Sequence, residues 1–245
     1  MYHEVEAGAP SGYGYAVSLE KFRQQIRILK RAGYQALTLK EVVQAAQGKG
    51  KLPPKPVVVT FDDGYEGTAR NALPVMQEHG MRGVLFAIAG RIGGRNDWDQ
   101  RSGGPELKLM GEEEIERLLA AGWELGAHTV NHPRLTTLDP QVAEREIRSS
   151  KEMLEEKFKA PVESFSYPYG AHSRELCEMV RKAGYTAGVT IFSSAPSVTA
   201  DPWRMRRVFP HAGDSRLTFR LKLSRPYLRL VAWRDGRRHS EKWPD

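Results

Sequence analysis

The sequence predicts a parallel α/β protein, a barrel of strands ringed by helices, and three observations predict it. One kind of segment recurs three times: an amphipathic helix, an Ala-Gly-aromatic stop, then an apolar strand. Between the copies lie unbroken apolar runs of the kind carried by strands buried on both faces. Acids and histidines follow strand-like segments directly, and in such folds chemistry collects at the C-terminal ends of strands.

The first copy, LEKFRQQIRILKRAGYQALTL, sets Phe22, Ile26 and Leu29 at helical spacing, stops at Gly33 and continues as a strand. PVVVTFDDGYEG follows, with Val57–Val59 read as a buried strand that ends in acids. GVLFAIAG predicts a second such strand over Val84–Ile88. The second copy, EEEIERLLAAGWELGAH, offers Ile115, Leu118 and Leu119, stops at Gly122 and runs into HTVNHP. The third, SRELCEMVRKAGYTAGVT, stops at Gly184. Cys177, the chain's one cysteine, excludes an internal disulfide and reads as a small packing residue in that helix.

The chain's 245 residues suit one α/β barrel, and 40% hydrophobic with 27% charged residues is ordinary for a soluble globular protein. No apolar run approaches the roughly 18 residues that a membrane span needs. The opening MYHEVEAGAP has neither a basic n-region nor an apolar h-region, so the expected location is the cytoplasm. The cell envelope is the alternative if the true start lies upstream of Met1. Net charge is +7 and uneven: from Asp214 to Asp245, nine Lys/Arg stand against four Asp/Glu. The expected division is a domain over residues 1–215 and a basic C-terminal extension over 216–245. Such a tail suits phosphate-rich partners or peripheral contact with an anionic membrane surface, and equally a solvated end with a few aromatic anchors. Charge confined to one end, without a recognised binding motif, argues against nucleic acid as a partner.

TFDDGY puts two carboxylates side by side, and adjacent acids force one toward protonation unless a cation compensates. Its bland alternative is an Asx-type turn closing a strand. His128 and His132 of HTVNHP, with one aspartate, make a two-histidine, one-carboxylate set that leaves positions open, as catalytic metal sites do. One divalent metal is expected, zinc first, with cobalt or nickel as alternatives. Pro168-Tyr169-Gly170 in YPYG forms either a rigid turn or one that aims the Tyr169 N–H at an oxyanion.

TFDDGY, HTVNHP and YPYG, in this order, resemble the motifs of the polysaccharide deacetylases, the NodB-homology carbohydrate esterases. The likeness covers about residues 1 to 212, including MYHEV, SLEKFRQQIRILKRAGYQALTLKEV and REIRSSKEMLEEKF. It implies a distorted (β/α) barrel and a metal-dependent N-deacetylase acting on an N-acetylated glycan or glycolipid. Carried over by position, Asp62 would be the base, Asp63, His128 and His132 the metal ligands, and Tyr169 the oxyanion donor.

Two departures matter. Where the family commonly has an arginine three residues before the tyrosine, this chain has Ser166. Arg207 in DPWRMRRVFPH matches the arginine of a branch resembling the poly-N-acetylglucosamine deacetylases, with Arg206 as its rival. That branch carries its general acid in an N-terminal Tyr-His pair, matched here by Tyr2-His3; His211 is the alternative acid. Two other readings remain: an amidohydrolase on the same scaffold acting on a lipid-linked sugar or small amide, and a non-catalytic glycan-binding module. A pure binder has no need of paired aspartates. The polar, glycine-rich loop GRIGGRNDWDQRSGGPELKLMG is the expected substrate lip, while Tyr2, Phe61 and Trp203 read as packing residues.

Overall fold

The computed structural model describes residues 1–8, 11–98, 104–191 and 201–239. β1 (Val5–Glu6) pairs in parallel with β2 (Val17–Ser18), which leads directly into α1 (Leu19–Arg31). The Ser18 side chain caps α1 by accepting from Lys21 N–H, and the helix buries Phe22, Ile26 and Leu29 as their spacing requires. β3 (Gln35–Ala36), α2 (Leu39–Ala46) and β4 (Pro56–Val57) follow, β3 and β4 forming a small parallel pair.

The main sheet is parallel and runs in chain order: β5 (Thr60–Asp63), β6 (Val84–Ala87), β7 (Glu124–Ala127), β8 (Ser164–Ser166), β9 (Ala187–Thr190) and β10 (Met205–Arg206). α3 (Leu73–Glu78), α4 (Glu112–Ala120), α5 (Pro140–Phe158) and α6 (Arg174–Lys182) connect its successive strands. Every residue of β5, β6, β8 and β9 is buried, so these strands are covered on both faces. Gly33, Gly122 and Gly184, the three predicted stops, take φ of 79°, 78° and 86°. An L side chain is strained there, and the left-handed turn releases each helix back toward the sheet.

Residues 1 and 2 tie the two edges of the curled half-barrel together. Tyr2 N–H donates to Thr60 O (2.8 Å) and Asp62 N–H to Tyr2 O (3.0 Å), while the Met1 amino group reaches Val208 O beyond β10 (2.8 Å). The Tyr2 ring stacks on Phe61 (5.5 Å) and its hydroxyl donates to Gln25 Oε1 (2.9 Å), so His3 follows an anchored segment.

One strand differs from the expectation. Val57–Val59 is not a single strand: β4 ends at Val57 in the small sheet, and β5 begins at Thr60 in the main one. The chain spends Val58 and Val59 changing sheets, with Val59 O accepting from Val84 N–H (2.9 Å).

The basic segment after residue 215 docks on the barrel. α7 (Arg216–Lys222) buries Phe219 in the main core, and Lys222 Nζ reaches Asp214 Oδ2 at 2.6 Å. α8 (Arg225–His239) follows, with Val231 and Ala232 buried. Among the described residues no helix is long and apolar enough to cross a membrane.

Candidate active site

The ends of β5, β7 and β8 converge, and the three motifs meet there. Asp62 and Asp63, the last residues of β5, are both 3% exposed. His128 extends β7, its N–H donating to Ala87 O (2.9 Å). Of five non-glycine residues with positive φ among those described, four lie in the motifs: Asp63 (70°), Thr129 (66°), His132 (59°) and Tyr169 (60°). Such conformations are costly, most of all for β-branched Thr129, and persist where the surroundings enforce them.

The surroundings of the histidine loop do so. Thr129 Oγ1 donates to His128 O (2.5 Å) and accepts from His132 N–H (2.9 Å). The Glu146 carboxylate of α5 accepts from Val130 N–H and Asn131 N–H (2.9 Å each) and from Asn131 Nδ2 (2.7 Å). Gly90 N–H donates to Val130 O at 2.9 Å, an approach that a side chain would forbid, since a Cβ at Gly90 would stand 2.7 Å from that oxygen.

Asp63, His128 and His132 form a buried cluster whose ligand atoms lie within 4.8 Å of one another. Asp63 Oδ1 is 3.3 Å from His128 Nε2 and 3.4 Å from His132 Nε2, and has no hydrogen-bond partner among the described residues. His128 Nδ1 lies 2.7 Å from Ser166 O, an atom that only accepts, so Nδ1 carries a hydrogen and Nε2 is free to ligate. Burial pushes the His132 imidazole down to about 3, leaving it neutral as a ligand must be. Burial also acts to lower His128, but its contact with Asp63 and the charge of Asp62 outweigh this and raise it. The donor set of one carboxylate and two imidazoles fits one divalent cation with open positions.

Beside the cluster, Arg207 clamps Asp62 with two parallel bonds, Nη1 to Oδ1 and Nη2 to Oδ2, each 2.6 Å. Ser166 completes the clamp: its Oγ donates to Asp62 Oδ2 (3.1 Å) and accepts from Arg207 Nη2 (2.9 Å). Burial alone would raise the Asp62 carboxyl. The charge and hydrogen bonds of Arg207 more than offset this and hold it well below the usual carboxylate range. Arg206 Nη1 instead turns to the Arg207 carbonyl (3.2 Å), so it is Arg207 that meets Asp62.

The two candidate acids are placed differently. His3 is near enough for Asp63 and Asp62 to act on it; burial lowers its affinity for a proton and both carboxylates oppose this. His211 is exposed, its ring against Phe209 (4.6 Å) and its N–H on Asp214 Oδ2 (2.9 Å). Tyr169, 41% exposed, lays its ring 4.8 Å from that of His132, and the Arg134 guanidinium stands 4.7 Å from the centre of the tyrosine ring.

Several site residues carry no sequence signal. Trp98, in the expected lip, stands 4.8 Å from the His132 ring, while Tyr15 and Phe209 flank His3 at 5.0 and 5.8 Å. The lip folds against the end of β5 through Met110 N–H to Gly64 O (2.7 Å); its middle, 99–103, lies outside the described residues.

A curled parallel sheet presenting an Asp/His/His cation site next to an arginine-held aspartate defines a metal-assisted hydrolase. Comparisons with known proteins agree. The family model described as polysaccharide deacetylase matches residues 49–188. YxkH of Bacillus subtilis (strain 168), itself assigned to the polysaccharide deacetylases, is 30% identical over 219 residues, 89% of this chain and 73% of its own. The poly-β-1,6-N-acetyl-D-glucosamine N-deacetylase of Staphylococcus epidermidis is 26% identical over 211 residues, 82% of this chain and 70% of its own. Among solved structures, the Streptococcus pyogenes deacetylase PplD superposes with a TM-score of 0.77 at 21% identity, covering 91% of this chain and 96% of that one. IcaB from Ammonifex degensii gives 0.73 at 24%, covering 94% of each. The chain belongs to the polysaccharide deacetylase family, metal-dependent hydrolases of carbon–nitrogen bonds outside peptides.

Proposed function

We propose that this protein removes N-acetyl groups from a poly-N-acetylglucosamine glycan. The observation that carries the reading is the buried Asp62–Arg207 clamp set against the cation cluster, Asp62 Oδ2 lying 4.0 Å from His128 Nε2. The choice of polymer rests on the named staphylococcal relative and on the Ser166/Arg207 arrangement.

Asp63, His128 and His132 would hold the metal, zinc in this reading. A divalent cation there supplies a Lewis acid that polarises an acetamide carbonyl and acidifies water. Asp62, ionised and fixed by Arg207 and Ser166, takes a proton from the attacking water as its oxygen adds to the acetyl carbon. The Tyr169 N–H donates to the oxygen that becomes negative, a contribution of about 3 kcal/mol for one such donor. His3 gives a proton to the departing nitrogen, because an amine anion is a poor leaving group. The C–N bond breaks, acetate and a free amine leave, and solvent returns the protons to their starting places. Trp98 and Tyr169 beside His132, and Tyr15 and Phe209 beside His3, provide faces for sugar rings.

The test is acetate release from β-1,6-linked N-acetylglucosamine oligomers by zinc-loaded protein, with His3→Ala and His211→Ala beside it. Acetate from wild type and His211→Ala, with a loss of about 10²-fold or more in His3→Ala, is the expected result. No acetate from folded, metal-loaded wild type would overturn the substrate, and an active His3→Ala would overturn the acid.

A further inference from the structure

A cleft of about 860 Å³ opens between α1 and α7, away from the residues assigned to catalysis. Arg23, Arg27 and Arg31 line one wall at one-turn spacing, and Arg216 and Arg220 line the other. All five are exposed, and among the described residues none makes an ion pair. Like charges four apart on a helix destabilise it, so these rows cost the isolated fold something. Glu6 and Glu20 share the cleft, and against five arginines they leave a cationic excess.

α7, which forms one wall of the cleft, and α8 after it carry exposed apolar side chains. Nine large hydrophobic side chains are exposed among the described residues, and five fall between Leu217 and Trp233. Leu217, which also lines the cleft, is 77% exposed; Leu221, Leu230 and Trp233 are 55, 59 and 56% exposed. Tyr15 and Tyr169 belong to the active site, so this is the one concentration without a role there. Exposed apolar side chains set close together along α7 and α8, two helices that pack on each other, point to an interaction surface.

We propose that α1, α7 and the start of α8 dock this protein onto an anionic phospholipid surface. The arginines meet headgroup phosphates, and Leu217, Leu221, Leu230 and Trp233 enter the boundary between headgroups and acyl chains. Charge complementarity selects the partner's sign, and the leucines select its class. A soluble polyanion would satisfy the guanidinium groups but leave those four side chains in water. No residue of the catalytic scheme takes part, so docking stands or falls independently of the deacetylase reading.

The test is co-sedimentation of the full chain with phosphatidylcholine vesicles and with vesicles half phosphatidylglycerol, using soluble polyphosphate as competitor. Wild type is expected to partition onto the anionic vesicles only. A basic side chain near such a surface strengthens partition roughly fivefold, so R23Q/R27Q/R216Q/R220Q should weaken it by at least about 10². L217S/L221S, at exposed positions that leave the core intact, should weaken it by about tenfold or more. Equal partition onto both vesicle types, or an arginine variant that binds as wild type does, would overturn the proposal. So would retention by polyphosphate without binding to vesicles, which would make the cleft a site for soluble polyanions.

Discussion

Replacing Arg207 by alanine removes both guanidinium contacts from Asp62 and leaves the buried carboxylate with Ser166 Oγ at 3.1 Å and the Tyr2 segment's backbone nearby. Breaking a buried ion pair by deleting one partner costs about 3–5 kcal/mol. At about 2–4 °C per kcal/mol for a chain of this size, the melting temperature should fall by roughly 6–20 °C. In the proposed mechanism Arg207 positions Asp62 and does not touch substrate, so kcat should drop by about 10² while KM stays near its starting value. Thermal melts and acetate-release kinetics on metal-loaded protein read the two effects separately. The structure also specifies a rescue. Ser166 Oγ lies 2.9 Å from Arg207 Nη2, so an arginine rooted at position 166 can fill the vacated space and reach the same carboxylate. Ser166→Arg added to Arg207→Ala should restore kcat at least about tenfold, a coupling of about 1.4 kcal/mol. An Arg207→Ala protein that keeps more than half its kcat, or a double variant no better than the single one, would refute the positioning argument.

Three further outcomes are expected. Glu4 is 8% exposed, and burial, only partly offset by the Gly67 N–H, pushes its carboxyl up to about 8. The folded state thus holds a proton that the unfolded state releases: stability from Glu4 is complete below about pH 4.5 and is lost as pH rises through 8. Glu4→Gln should flatten that decline, gaining up to about 4–5 kcal/mol over wild type above pH 8, as measured by urea unfolding at several pH values. Glu146→Ala frees three donors of the histidine loop and should weaken zinc binding by about 10–100-fold in calorimetric titration, without touching a ligand. Trp98→Ala should raise KM for glycan oligomers several-fold and change kcat less than twofold, since in the proposed function its ring beside His132 contacts substrate and carries no reacting atom.

The parts of this molecule that were legible in the sequence are those where a local rule acts. The three glycine stops, the helical spacing of Phe22, Ile26 and Leu29, and the motif residues at strand ends each follow from short-range pattern, and the fold keeps them. Asp63, His128 and His132 meet because parallel neighbouring strands bring their C-terminal ends together. Other features had no such rule. Three consecutive valines do not signal that the chain changes sheets between Val57 and Thr60. Two residues bridging the barrel edges at Met1 and Tyr2 are too few for alternation to appear. Glu146 and Trp98 are single residues in a polar helix and a polar loop, and only tertiary packing brings them to the histidines. Phe219 is one aromatic in a segment whose positive charge obscured its docking.

The most direct measurement is zinc titration into metal-free wild type, Asp62→Asn and His132→Ala, with acetate release followed in the same samples. Wild type should bind one equivalent and gain activity in step with it. Asp62→Asn should bind an equivalent yet release no acetate, and His132→Ala should lose both. Acetate release by wild type that chelation leaves unchanged, or an Asp62→Asn protein that turns over normally, would contradict a cation held by Asp63, His128 and His132 with Asp62 as its base.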